Sequence, residues 1–172
     1  MKTHFKILVA EDNPDDLLLL EQAVKKAGVA MSLHPVSDGY DTLSYLKGEG
    51  LYGDRVTYPW PDILLLDLNM PRVNGFEVLE WVRRQSQCSR LIIHVFTASS
   101  RDDDVRRAYD LWANSYVVKP SRLDELVALV SALHAWHRFV CAPRASAHPA
   151  EDRTVAGLTA GFGHSKLEAC DP

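Results

Sequence analysis

The sequence has no apolar run near the ~20 residues that a membrane-spanning helix requires. The apolar stretch at residues 63–66, for example, ends at Asp67. A short apolar run near the N-terminus follows basic residues, but it stops at Glu11 and Asp12, too early for an export signal. These absences predict a cytoplasmic protein without a membrane anchor.

The sequence also has few cysteines and no net positive charge. The three cysteines, at positions 88, 141 and 170, are widely spaced and fit reduced thiols better than a disulfide framework or a metal knuckle. A net charge of −4 gives no electrostatic footprint for nucleic acid. With 172 residues, 47% of them hydrophobic, the chain has the length and composition of about one globular domain at roughly 150 residues per domain.

Short apolar runs alternate with longer amphipathic stretches five times along the chain. The runs lie at residues 5–11, 32–36, 62–68, 91–97 and 115–120, and each is followed by a helical pattern. Strand–helix alternation without hairpin signals predicts a doubly wound, five-stranded parallel sheet with helices on both faces. Of the 31 residues after Cys141, 13 are Ala, Gly or Pro, so we expect a flexible tail over 141–172 and no output domain.

Polar residues stand at the carboxyl ends of four predicted strands, where ligands bind in open α/β sheets. They are Glu11, Asp12, Asp67, Thr97 and Lys119. Close carboxylates repel one another unless a hard cation neutralises them, and Mg²⁺ prefers oxygen ligands. One carboxylate can then attack phosphorus while the metal and a lysine stabilise charge on the phosphoryl oxygens. The set predicts a site that forms an aspartyl phosphate.

Four motifs in register resemble the receiver domain of bacterial two-component response regulators. They are VAEDNPDD (9–16), DILLLDLNMPRVNGFEVL (62–79), FTASS (96–100) and ANSYVVKP (113–120). The resemblance covers about residues 5–138. It implies a receiver domain over 1–140 with the flavodoxin-like strand order 2-1-3-4-5.

The resemblance also implies a role for each matching residue. Asp67 would be the phosphoacceptor, Lys119 the phosphate-pairing lysine, Thr97 the switch hydroxyl and Tyr116 the switch aromatic. The Mg²⁺ ligands would be Asp12, Asp67 and the main-chain carbonyl of Asn69, with Glu11 acting through a metal-bound water. The Lys119–Pro120 bond resembles a cis peptide of the family. The protein would not be an enzyme, although it would assist its own phosphorylation and dephosphorylation.

A narrower likeness involves the long loop at 48–62 and the motif LDLNMPRVNG at 66–75. Both resemble the single-domain regulators paired with bacterial phytochrome kinases, which are commonly homodimers. The resemblance therefore implies two partners: a sensor histidine kinase of the phytochrome type, and a second copy bound through the face of helix 4, strand 5 and helix 5. Neither nucleic acid nor membrane is expected.

Two rival functions stay open at this stage. A haloacid-dehalogenase-like phosphatase also uses an aspartyl phosphate, Mg²⁺, a Thr and a Lys, but it needs D-x-D after its first strand, where this chain has Glu11 and Asp12. A pseudo-receiver that binds partners without phosphorylation is the second rival. The complete set of acids, Thr97 and Lys119 argues against it.

Some positions depart from the receiver pattern or invite other interpretations. Trp112 stands where most receivers have glycine, a position usually in the left-handed conformation, and Ser121 stands where many have phenylalanine. His94, in a predicted buried strand, is expected to be a hydrogen-bonded interior histidine. His134 and His137 are expected to be solvated or in an interface rather than metal ligands.

Overall fold

A computed structural model of the chain describes residues 5–139, so the expected tail at 141–172 lies outside the described residues. Strands and helices alternate as the sequence predicts. The strands are β1 (Phe5–Ala10), β2 (Met31–Val36), β3 (Ile63–Leu66), β4 (Ile92–Thr97) and β5 (Ser115–Val118). The helices are α1 (Pro14–Ala27), α2 (Gly39–Lys47), α3 (Gly75–Arg84), α4 (Asp102–Asp110) and α5 (Leu123–His137). None of the helices within residues 5–139 is long and apolar enough to cross a membrane.

All five strands are parallel and lie in the order β2-β1-β3-β4-β5, which confirms the doubly wound prediction. The chain therefore reverses its winding direction between β1 and β3. Ala10 pairs with Leu66 at the ends of these two strands, so the residues that follow them emerge at the same level of the sheet. Thr97 pairs with Val118 in the same way at the ends of β4 and β5. This register brings the predicted site residues to one edge.

The core forms two apolar layers, one on each face of the sheet. Strand β3 serves both because its side chains alternate: Leu64 and Leu66 join the layer beneath α2, α3 and α4, whereas Ile63 and Leu65 join the layer beneath α1 and α5. All four residues of β3 are buried. Burial on both faces explains why this strand is a continuous apolar run rather than an alternating one.

The long loop before β3 is anchored by Arg55. Its guanidinium donates to the carbonyls of Tyr45 and Leu46 at the end of α2, at 2.8 and 3.1 Å. The same guanidinium lies over the rings of Tyr45 and Trp60. A cation at the C-terminus of a helix is favourable because it meets the negative end of the dipole.

In the turn from α4 to β5, Trp112 has a φ of +62°. This is the left-handed conformation expected at a position where most receivers have glycine. Such a conformation costs a non-glycine residue roughly 1–2 kcal/mol. Arg83 of α3 offsets that cost, because its Nε and Nη2 atoms both donate to the Trp112 carbonyl, at 3.0 and 2.7 Å. The indole itself is 75% exposed.

Two histidines differ from their sequence predictions. His94 is buried, and its Nδ1 lies 2.5 Å from the Ser115 hydroxyl, but its Nε2 has no hydrogen-bond partner among the described residues. The expectation of a fully hydrogen-bonded His94 was therefore only half right. The expectation of a solvated or interfacial His137 was wrong, since His137 is buried and its ring stacks on Phe5 with centroids 3.7 Å apart. That contact joins α5 to β1, elements whose pairing the local sequence pattern does not reveal.

The burial of His94 predicts a pH dependence of stability. Burial lowers the pKa of His94 to about 4, whereas a histidine in an unfolded chain titrates near 6.5. The unfolded state therefore binds a proton first as the pH falls, so the contribution of neutral His94 is complete above about pH 6.5 and is lost as the pH falls towards 4.

We expect His94→Asn, which cannot titrate, to flatten this dependence. Between pH 7 and pH 5 the wild type should lose about 2 kcal/mol more of its unfolding free energy than the variant loses. Urea unfolding at a series of pH values measures both slopes. Identical slopes would contradict the interpretation.

Candidate functional site

The strand ends bring three carboxyl groups together at one edge of the sheet. Oxygen atoms of Glu11, Asp12 and Asp67 all lie within 4.8 Å of one another. Glu11 and Asp67 are buried, whereas Asp12 is exposed. This all-oxygen set suits a hard divalent cation, which would neutralise the mutual repulsion of the acids.

Lys119, directly after β5, neutralises part of this charge. Its Nζ lies 2.6 Å from Glu11 Oε2 and 2.8 Å from Asp67 Oδ2. A third carboxylate oxygen, Asp16 Oδ2, lies 2.8 Å away. The ammonium group has three N–H donors, so each donor has one carboxylate partner. The predicted convergence of Lys119 with Glu11 and Asp67 is thus found, and Asp16 joins them.

The electrostatic balance favours an ionised Asp67. Burial alone would raise its pKa, but hydrogen bonds from Lys119 and Thr97, with the lysine charge, hold that pKa below its ordinary value. Burial also opposes the charge on Lys119, yet its hydrogen bonds to Asp16, Asp67 and Glu11 raise the lysine pKa above its ordinary value. For Glu11 burial wins, and the pKa is raised. Asp67 is therefore held in its ionised form, which is the form of a carboxyl group that can act as a nucleophile.

The backbone after β3 fixes the direction of the Asp67 side chain. The main-chain N–H of Asn69 donates to Asp67 Oδ1 at 3.2 Å. The loop then folds back tightly, since a Cβ on Gly75 would overlap the main-chain carbonyl of Asp67. Asn74 caps α3 through a reciprocal capping box with Glu77. That Asn69 offers its carbonyl to a metal stays a prediction, because the described contacts involve its N–H.

The two predicted switch residues contact the site and the loop after β4. Thr97 is fully buried, and its hydroxyl hydrogen-bonds Asp67. Tyr116 is partly buried, and its hydroxyl donates to the carbonyl of Ser99 at 3.0 Å. The Ser99 hydroxyl in turn donates to Asp104 of α4 at 2.5 Å. A chain of hydrogen-bonded residues therefore starts at this loop and reaches α4.

The expected cis bond between Lys119 and Pro120 is wrong, because the described residues contain no cis peptide bond. The trans form is the usual one for a bond preceding proline. The main-chain N–H of Lys119 still donates to the Thr97 carbonyl at 2.8 Å, which places the lysine beside β4.

Sequence reasoning missed two charged residues near the site. Asp16 lies in the motif at 9–16, but the sequence gives it no role in the site; its position in the first turn of α1 places it at the carboxyl edge of the sheet. Arg72, in the loop after Asp67, forms an ion pair with the buried Asp38 and another with Asp41 at 3.3 Å. No signal in the sequence indicates the Arg72 contact, because its partners lie at the start of another element, α2.

Comparisons with known proteins agree with this geometry. Residues 7–131 match the family model described as "Response regulator receiver domain". The chain is 31% identical over 140 residues to the response regulator Rcp1 of Synechocystis, covering 81% of this chain and 93% of Rcp1.

Solved structures give the same result. A response regulator in red light signalling of R. palustris is 34% identical with a TM-score of 0.76, over 81% of this chain and 98% of that chain. The phosphorylated cyanobacterial phytochrome response regulator RcpA is 33% identical with a TM-score of 0.73, over 81% and 99%. The Mn²⁺-bound form of Rcp1 is 31% identical with a TM-score of 0.71, over 81% and 99%.

The carboxylate arrangement predicts unequal roles in metal binding. Exposed Asp12 has no ion pair with Lys119, whereas Glu11 already shares its charge with that lysine. We expect Asp12→Ala to weaken Mg²⁺ binding about 10-fold more than Glu11→Ala does, because a direct ligand contributes more than an acid acting through water. Calorimetric titration measures both affinities. Equal losses would show that the roles are wrongly divided.

Proposed function

The chain belongs to the response regulator receiver family, and from that premise we propose that Asp67 accepts a phosphoryl group from a sensor histidine kinase. The observation that carries the proposal is the position of Asp67, a buried carboxylate held ionised between Lys119 and the cluster of Glu11 and Asp12. Neither rival function explains this arrangement as well. A purely interacting module has no need of an ionised buried acid, and a dehalogenase-like enzyme places its nucleophile after the first strand.

The proposed reaction is an exchange of one bond to phosphorus for another. An oxygen of Asp67 attacks phosphorus, and the P–N bond to the kinase histidine breaks, with the electron pair leaving on the imidazole. Lys119 pairs with one phosphoryl oxygen and Thr97 donates a hydrogen bond to another. Each contact stabilises negative charge that grows on the phosphoryl group.

Mg²⁺ is the proposed metal of the site. Asp12, Asp67 and the carbonyl of Asn69 would hold it, with Glu11 reached through a bound water. When bound, the ion supplies positive charge to the phosphoryl oxygens. Lys119 must then share Glu11 and Asp67 with the ion, because it contacts both in this structure.

The family acts in signalling rather than in catalysis of a separate substrate. We propose that this chain assists only its own phosphorylation and dephosphorylation, through the residues around Asp67. The exchange would take place in the cytoplasm, where a histidine kinase has access to ATP.

A phytochrome-type kinase is the partner that the relatives favour. Rcp1, RcpA and the R. palustris regulator are similar to this chain over nearly their whole length; RcpA is a phytochrome response regulator, and the R. palustris protein belongs to red light signalling. We also propose a homodimer through α4, β5 and α5. This face exposes Tyr109 by 50%, Trp112 by 75% and Val118 by 45%. The proposed dimer would remove these side chains from water, and contiguous apolar patches mark surfaces where another protein binds.

The phosphoacceptor assignment predicts the result of a simple labelling experiment. Incubation with acetyl phosphate and Mg²⁺ should add one phosphoryl group to the wild type and none to Asp67→Asn, because the amide is a poor nucleophile. Intact mass and site mapping detect the adduct. Asp110→Asn, which removes an exposed acid of α4, is the matched control and should be labelled like the wild type. An adduct on Asp67→Asn would refute the assignment.

The switch assignment predicts that Thr97→Ala separates phosphorylation from its consequence. The variant should still accept phosphate at Asp67. It should lose the phosphorylation-dependent change in self-association, because the loop after β4 no longer has the Thr97 hydroxyl that would hydrogen-bond a phosphoryl oxygen. We expect phosphorylation to change the dimer affinity of the wild type by ~1–3 kcal/mol, a usual coupling energy. Analytical ultracentrifugation with and without acetyl phosphate measures this change.

Thr57→Ala is the control for this experiment, since Thr57 is exposed and its hydroxyl donates to Asp54 within the long loop. It should behave as the wild type. If the wild type keeps the same oligomeric mass in solution and the same kinase affinity on phosphorylation, the dimer switch is refuted. The assignment of Asp67 as phosphoacceptor would be unaffected.

A further inference from the structure

Asp16 contacts the site from the first turn of α1. Its Oδ2 lies 2.8 Å from the Nζ of Lys119, a residue 103 positions away in the sequence. The lysine side chain is only 11% exposed, whereas that of Asp16 is 37% exposed. Nearly all the stabilisation of the buried ammonium must therefore come from its three carboxylate partners rather than from water.

The three partners of Lys119 are not equivalent during the proposed reaction. Glu11 and Asp67 belong to the acidic cluster, so both are drawn towards a bound cation. Asp67 also loses its negative charge when its oxygen bonds to phosphorus. Asp16 does not belong to the cluster of Glu11, Asp12 and Asp67, whose oxygen atoms lie within 4.8 Å of one another. It also takes no part in the bond changes. Of the three partners, Asp16 alone is neither a member of the acidic cluster nor a reacting group.

We propose that Asp16 is a positioning residue, which anchors the ammonium of Lys119 so that one N–H stays directed at the phosphoryl oxygens. The inference rests on the proposed function of Asp67. A lysine has a flexible four-carbon stem, and an anchor reduces the rotamer freedom that must be lost when it engages the reacting group.

The anchor acts in both directions of the chemistry. In phosphorylation, the P–O bond to Asp67 forms as the donor bond breaks, and the N–H that faced Asp67 Oδ2 turns to a phosphoryl oxygen. In hydrolysis, water attacks phosphorus, the P–O bond to Asp67 breaks, and the water proton leaves with inorganic phosphate. Lys119 must stay near the phosphoryl group in both steps, while Asp16 holds it from the side of α1.

Two variants of Asp16 separate its hydrogen bond from its charge. Asp16→Ala removes both, whereas Asp16→Asn keeps an oxygen that accepts the hydrogen bond. We expect Asp16→Ala to slow labelling by acetyl phosphate at saturating Mg²⁺ about 10-fold, and Asp16→Asn to recover most of the rate. Asp15→Ala removes the neighbouring, exposed acid of the same helical turn and should match the wild type.

A second measurement needs neither metal nor phosphodonor. In the metal-free protein, the ¹⁵N signal of the Lys119 ammonium should show slow proton exchange because the group is enclosed by acceptors. Asp16→Ala should accelerate this exchange at least several-fold, and Asp16→Asn should preserve it.

The outcomes distinguish this inference from the proposed function. If the wild type takes up no phosphate, both are overturned. If the wild type is labelled at Asp67 while Asp16→Ala keeps its rate and its slow exchange, only the anchor is overturned. A rate loss that disappears at saturating Mg²⁺ would assign Asp16 to metal binding instead. A loss in Asp16→Asn equal to that in Asp16→Ala would show that charge acts rather than positioning, and would also overturn the inference.

Discussion

The mutual repulsion of carboxylates at one edge of the sheet is the constraint on which the rest of the site depends. The register of β1 against β3 places Glu11 and Asp67 at the same level of the sheet, so their carboxylates lie close enough to repel one another. Lys119 relieves this repulsion with an ion pair to each acid, and a cation can relieve it further. The reactive state of Asp67 is therefore a property of the whole sheet edge rather than of one residue.

The connection from site to surface follows from the same edge. Thr97 is both the last residue of β4 and a hydrogen-bond partner of Asp67, so the loop after it begins inside the site. Tyr116 holds the other side of that loop through Ser99. Since exposed apolar side chains lie on β5 and α4, only a few contacts separate Asp67 from this part of the surface.

Much of this could be predicted from the sequence, because the fold is repetitive and its chemistry lies at strand ends. The pattern of apolar runs predicts the five strands and agrees with the burial of β3 on both faces. The rule that ligands bind at the carboxyl ends of parallel strands places Asp12, Asp67 and Lys119 together. Asp16 and Arg72 could not be found in this way. Each contacts a partner on another element, and the local sequence pattern does not show which side chains of different elements meet. The prediction for His137 failed for the same reason, since its partner is on β1.

Trp112, in the turn before β5 that Arg83 holds by hydrogen bonds, is suited to report on the surface around it by fluorescence. The Arg83 guanidinium donates five hydrogen bonds to the turn and its surroundings, to the Trp112, Ser89 and Leu91 carbonyls and the Asn114 side chain. These hydrogen bonds restrain the backbone beneath the indole, while the ring itself is 75% exposed. In a variant that keeps Trp112 as its single tryptophan, the emission wavelength and the accessibility to a quencher should therefore respond to whatever covers that corner of the surface.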